Sequence, residues 1–220
     1  MAFTVPSEAA QFLQANASAI FGLIGALGGG ILSFFATGLL KRREFNLQLW
    51  AKLLERRIAA HENVIAVAVE MRVMVALGGV NAKSEVRRAP QVLISKEEFE
   101  RWFTRFTQLT LEGTTWLSTA TKREVNFAQD YLVTLHLHLQ AISTDRYLEV
   151  GELVRQDFID LSSSLEKVAY DYFQSGVRKL RLDSLEAHHK YKRSETERRL
   201  KATALLSNMP AIHALREAMR

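Results

Sequence analysis

The stretch Ser18-Ala-Ile-Phe-Gly-Leu-Ile-Gly-Ala-Leu-Gly-Gly-Gly-Ile-Leu-Ser-Phe-Phe-Ala-Thr-Gly-Leu-Leu40 decides how this chain of 220 residues is read. It belongs to a run, residues 9–40, without a single charged side chain, and it stops abruptly at Lys41-Arg42-Arg43. As a helix rising about 1.5 Å per residue it would extend roughly 35 Å, against a hydrocarbon thickness of about 30 Å. The sequence therefore predicts one membrane-spanning helix over residues 18–40. A cleaved secretory signal fits less well, because no Lys or Arg precedes the apolar run and the run is longer than a signal core.

Basic residues follow the span instead of preceding it, which by the positive-inside rule puts the N-terminus outside and the C-terminus in the cytoplasm. The expected location is the inner (plasma) membrane. Four segments result: a short extracytoplasmic tail over 1–17, the span over 18–40, a cytoplasmic helical domain over 41–209 and a C-terminal tail over 210–220. The third segment is long enough to bury a core of its own. The chain has no cysteine, so disulfide frameworks and cysteine-ligated metal centres are excluded.

The net charge of +5 is unevenly spread. Residues 41–60 hold six Lys or Arg against two acids, residues 143–175 hold three against seven, and residues 176–201 hold nine against four. Lys41, Arg42 and Arg43 sit where they would set topology and contact anionic lipid headgroups, at about 1 kcal/mol per basic residue. The second basic zone, 176–201, is the place for a protein or RNA partner. Its interspersed Asp183, Glu186, Glu195 and Glu197 suit pairing along a helix equally well.

Within the span Gly22, Gly25, Gly29, Ser33 and Thr37 (or Ala36) recur three or four residues apart, so small side chains line one helix face. Such rows let helix backbones approach closely in lipid, which makes self-association the expected use of the span. Beyond it, Phe45, Leu47, Trp50, Leu54, Ile58, His61, Ile65 and Ala68 extend an amphipathic helix. Val64–Leu77, apolar on nearly all sides, reads as a buried helix stopped by Gly78-Gly79, its β-branched residues leaving strand as the alternative. Asn81–Ile94 reads as a polar connector.

Ser95-Lys-Glu-Glu98 and Thr121-Lys-Arg-Glu124 are capping boxes, each predicting a helix start. The first helix would bury Phe99, Trp102, Phe103, Phe106 and Leu109 and stop near Gly113. The second would bury Val125, Ala128, Leu132, Leu135, Leu139 and Ile142. Val154, Phe158, Leu161, Leu165, Val168 and Tyr172 continue the period, and one long helix could run on toward Pro210. Ala202, Leu205, Leu206, Ile212, Leu215 and Met219 form a small apolar tail suited to a membrane surface or a neighbouring subunit. The fold class is accordingly all-α: an N-terminal transmembrane helix, then a cytoplasmic helical bundle with long helices.

Residues able to carry chemistry are few. His136 and His138 stand two apart on a helix and cannot share a metal. His61 reads as a partly buried, satisfied histidine, and Glu186-x-x-His189 lacks the second pair that a di-metal site needs. No metal or cofactor is expected. Arg181 and His188 have a spacing similar to the Arg-x(4–6)-His pattern of the helical HEPN ribonucleases. That resemblance implies Arg181 holding phosphate and His188 transferring protons, with a site shared between two subunits.

The overall plan of one span, Lys41-Arg42-Arg43 and then a helical domain with Arg181 and His188 resembles the single-pass effectors and CRISPR-accessory membrane proteins of bacterial anti-phage systems. The resemblance implies membrane depolarisation or growth arrest after infection. The leading expectation is a non-enzymatic homo-oligomer that clusters its spans, in sharper form opening a pore or perturbing the bilayer. A membrane-tethered scaffold or adaptor is the second reading, and a tethered ribonuclease the third.

Overall fold

The computed structural model describes residues 12, 14–80, 86–176 and 189–217, which are mostly helical and fall into two units, Met1–Leu53 and Leu54–Arg220. The first long element, α1 (Ala17–Met71), is one unbroken helix of 55 residues, about 80 Å at the standard rise. Its first part carries the apolar run, and Lys41, Arg42 and Arg43 follow without a break in the helix.

Two strands depart from the all-helical expectation. The stretch read as a buried helix through Leu77 leaves the helix after Met71, and β1 (Met74–Val80) pairs antiparallel with β2 (Val86–Pro90), where a polar connector was expected. Val73, Val75 and Val80 fit a pleated strand better than a helix, since branching at Cβ stiffens χ1. Met74 lies opposite Pro90 and Ala76 opposite Arg88, and the register then shifts before Val80 pairs with Val86. Gly79, at φ +89, occupies that irregular stretch in a backbone conformation that L side chains rarely adopt. Gly78 and Gly79 thus lie inside a strand instead of ending a helix.

The helical part of the second unit rests on α2 (Lys96–Gly113), α3 (Thr119–Leu139) and α4 (Tyr147–Asp171). At α2 the expected cap is present, with Ser95 Oγ accepting from the Glu98 amide at 3.2 Å. Glu98 does not close the box, because its carboxylate takes Arg101 at 2.6 Å. Glu97 lies nearer the cap, and bonds from its own amide and the Ser95 hydroxyl hold its carboxyl below the usual range. Gly113 ends α2 as expected.

The second predicted capping box is displaced. Ser118 caps α3, accepting from the Thr121 amide at 3.2 Å, so Thr121 and Glu124 lie within the helix. The reason is tertiary. His61, fully buried, takes a hydrogen bond from the Ser118 amide at Nε2 (3.2 Å) and donates from Nδ1 to the Arg57 carbonyl (2.7 Å). Its ring stacks on Tyr172 at 3.8 Å. One neutral tautomer satisfies both bonds, so His61 is the satisfied histidine that the sequence suggested, tying α1 to the start of α3.

All six apolar positions expected of the α3 seam are buried, from Val125 to Ile142, and they meet Phe99 and Phe106 of α2 and Val154, Phe158 and Leu165 of α4. The hairpin joins this core through β2, which packs on α4. Contact there is close: a methyl group on Gly151 would lie 3.0 Å from Ala89 Cβ and 3.3 Å from Leu93 Cβ. Ser162, buried in α4, donates to the Ala68 carbonyl at 2.6 Å.

After α4 the chain makes a π-helical turn, Tyr172–Gly176. Beyond residue 192 the described residues form three separate helices rather than one: α5 (Arg193–Lys201), the single turn α6 (Ala204–Ser207) and α7 (Met209–Glu217). Leu205 and Ile212, expected in a tail for a membrane or a neighbour, are buried in the core.

Candidate functional site

Apolar side chains on the first part of α1 are exposed without interruption. Phe21, Leu23, Leu27, Leu32, Phe34 and Leu39 are each at least 60 % exposed, in a window long and apolar enough to cross a membrane. Contiguous apolar surface of this extent is rare on a protein in water and marks an interaction surface. Gly22, Gly25, Gly29, Ser33 and Thr37 are exposed on the same helix at three- and four-residue steps.

The glycines have no task inside the described chain. A methyl group on Gly22, Gly25, Gly28, Gly29, Gly30 or Gly38 would meet nothing within 4 Å. Each glycine costs a helix interior about 1 kcal/mol relative to alanine in water. Lys41, Arg42 and Arg43 are exposed on the helix that continues past this segment.

A second constellation escaped the sequence analysis. In the Leu54–Arg220 unit two buried carboxylates on the bundle helices anchor the chain that returns after residue 188. Glu124 of α3 receives both terminal nitrogens of Arg199, at 3.0 and 2.8 Å, and the Tyr191 hydroxyl donates to the same carboxylate. The guanidinium lies 3.9 Å over the Phe127 ring and 4.7 Å from the Tyr191 ring. Burial pulls the Arg199 pKa down, but the bonds and charge of Glu124, with Tyr191, outweigh it and leave it raised. Burial and then Glu124 push the Tyr191 phenol up.

Asp157 of α4 is the second anchor. Its two oxygens accept from the Ala204 amide (2.7 Å) and the Leu205 amide (2.8 Å), and the Tyr131 hydroxyl donates to it at 2.9 Å. Burial raises the Asp157 carboxyl, and these bonds offset part of the rise. Burial and the adjacent carboxylate also hold the Tyr131 phenol well above its ordinary value. Here a carboxylate on the apolar stripe between Val154 and Leu161 was the available signal, since a charge at such a position needs a partner.

The remaining candidates separate. His136 lies against Phe99 and Phe103, whereas His138 faces His213 of α7, so the two are on different faces as expected. A cavity of about 230 Å³ lies beside Arg101, Trp102 and Arg105, but its two arginines are paired with Glu98 and Glu70. Arg181 and His188 lie outside the described residues, as do Asp183, Glu186 and the rest of residues 177–188 in the second basic zone. Among the described residues no group of three or more His, Asp or Glu is placed to hold a metal ion. Compared with protein-family models, curated proteins and solved structures, the chain matches none.

Proposed function

We propose that this chain is a single-pass protein of the inner (plasma) membrane that assembles with copies of itself through residues 18–40, with the N-terminus outside and the helical domain in the cytoplasm. The supporting observation is the surface of the first part of α1: apolar, exposed, and carrying glycines that its own chain leaves uncovered. Lipid covers the large apolar side chains, and close backbone approach between copies gives the glycine face its role. Lys41, Arg42 and Arg43 fix the orientation and contact the anionic headgroups of the cytoplasmic leaflet.

The activity follows from clustering, without bond chemistry in the described residues. Assembled spans perturb the bilayer or open a weakly polar pore, to which Ser33 and Thr37 are the polar contributors. The anti-phage effector role implied by the resemblance is the biological form of this proposal. Gly25→Leu with Gly29→Leu is the decisive variant. In mild detergent the native full-length protein is expected to run as a discrete oligomer, and the double variant as smaller species with crosslinking reduced at least several-fold. Monomeric native protein, or crosslinking unchanged in the variant, would overturn the assembly and leave a membrane tether.

A further inference from the structure

The small-residue face of α1 does not end with the span. From Gly22 the steps alternate between four and three residues through Ala26, Gly29, Ser33 and Ala36, and the same alternation continues through Leu40, Arg43, Leu47 and Trp50. Because α1 is one unbroken helix, all of these positions fall on one side of it, with Gly25 and Thr37 flanking them. A mean step of about 3.5 residues is the period of a left-handed coiled coil, and each of these residues takes a core-facing position in it. Inside the span the row is small. Beyond the span it becomes large and apolar, with Arg43 as its single charge.

Its own chain leaves this second part of the row uncovered. Leu40 is 65 % exposed, Leu47 61 % and Trp50 40 %, and every residue from 41 to 52 is exposed. A short helix with nothing packed against it is marginal in water, so this stretch calls for a second helix. We propose that residues 40–51 form a parallel coiled-coil neck with the same residues of a second copy of the chain, in phase with the assembled spans. The neck rests on self-association through residues 18–40 and adds to it a register and a seam outside the lipid.

Phase and charge select this occupant. Spans that pack through the small residues of 22–36 turn Leu40, Leu47 and Trp50 of both copies toward each other, and a shared orientation in the membrane keeps the copies parallel. In a parallel pair the position that Arg43 holds packs beside the next position of the opposite helix, which is Glu44. Among the described residues no ion pair engages Arg43 or Glu44, so both charges are open to a second copy. Two reciprocal Arg43–Glu44 contacts offset the repulsion of two arginines on the seam. Lys41, Arg42, Gln48 and Lys52 lie off the seam, and so does Phe45, which is about 8 Å beyond Leu40 along the axis, at the depth of the headgroups.

The chain has no cysteine, so a single introduced thiol reports on the contact between copies. In full-length protein reconstituted into liposomes and mildly oxidised, Leu40→Cys, Leu47→Cys and Trp50→Cys are expected to give at least about fivefold more disulfide-linked dimer than Gln48→Cys or Lys52→Cys, because a bridge needs Cα atoms within about 7 Å. Glu44→Arg should lower the Leu47→Cys yield several-fold, and adding Arg43→Glu should restore it. Equal yields on and off the seam, a maximum at Gln48 or Lys52, or no rescue by the charge swap would each overturn the neck. A face that lies on the bilayer or on a different protein would give the flat profile. If the native protein is a discrete oligomer in mild detergent and the profile is flat, the neck falls alone; a native monomer overturns the assembly beneath it as well.

Discussion

Asp157 and Glu124 show how a single side chain decides what a helical face does. Both stand among apolar residues, and both are satisfied by groups far away in sequence: Asp157 by Tyr131 and the amides of Ala204 and Leu205, Glu124 by Arg199 and Tyr191. A buried donor left without its acceptor costs more than the bond itself contributed. Asp157→Ala strands three donors at once and is expected to destabilise the domain by about 3 kcal/mol. Tyr131→Phe removes one donor and leaves the two amide bonds, with an expected loss of about 1 kcal/mol. Urea unfolding followed by the fluorescence of Trp102 and Trp116 checks both. Equal losses for the two variants would show that the amide bonds to Asp157 contribute nothing. Neither network could be read in the sequence, because the partners lie from 26 to 75 residues away. Thr121-Lys-Arg-Glu124 even has the composition of a cap, and only His61 and Arg199 show why it is not one.

At the level of elements the amphipathic helices were the legible part. A seam such as Val125, Ala128, Leu132, Leu135 and Leu139 has one periodicity and one solution, and all of it is buried. The hairpin was not legible, because an apolar run of Val, Met, Ala and Leu supports helix and buried strand alike. What selects the strand is pairing with Val86–Pro90 and the seating of β2 on α4. That seating depends on a missing side chain. Gly151→Ala places a methyl 3.0 Å from Ala89 Cβ and should destabilise the unit by about 1–2 kcal/mol through overpacking. Gly113→Ala is the control, since its methyl would meet Ala60 Cβ at 3.4 Å, an ordinary contact, and the expected change is within about 0.5 kcal/mol. Thermal unfolding distinguishes the two, and equal midpoints would show that the hairpin yields freely.

For the whole molecule the proposals concern placement. An 80 Å helix, about 1.5 Å for each of its 55 residues, is more than twice the hydrocarbon thickness, so α1 would also supply the first helical turns beyond the membrane. With the proposed orientation, protease added outside sealed, correctly oriented vesicles should leave residues 41–220 intact and reach only the N-terminal tail. Digestion of the helical domain would reverse the orientation.

Composition and local pattern alone determined that one helix is long and apolar enough to cross a membrane, that small residues line one of its faces, and that most of the rest is helical. Those are properties of neighbouring residues, carried by hydropathy and by a period of about 3.6. Tertiary structure decided where α1 ends, which serine caps α3, and that Leu205 and Ile212 belong to the core. It also brought His138 to His213, 75 residues apart in a chain whose intervening turns no local pattern specifies. Such pairings depend on which buried donors find acceptors and which apolar faces find each other once the helices pack, information that is distributed over the whole chain.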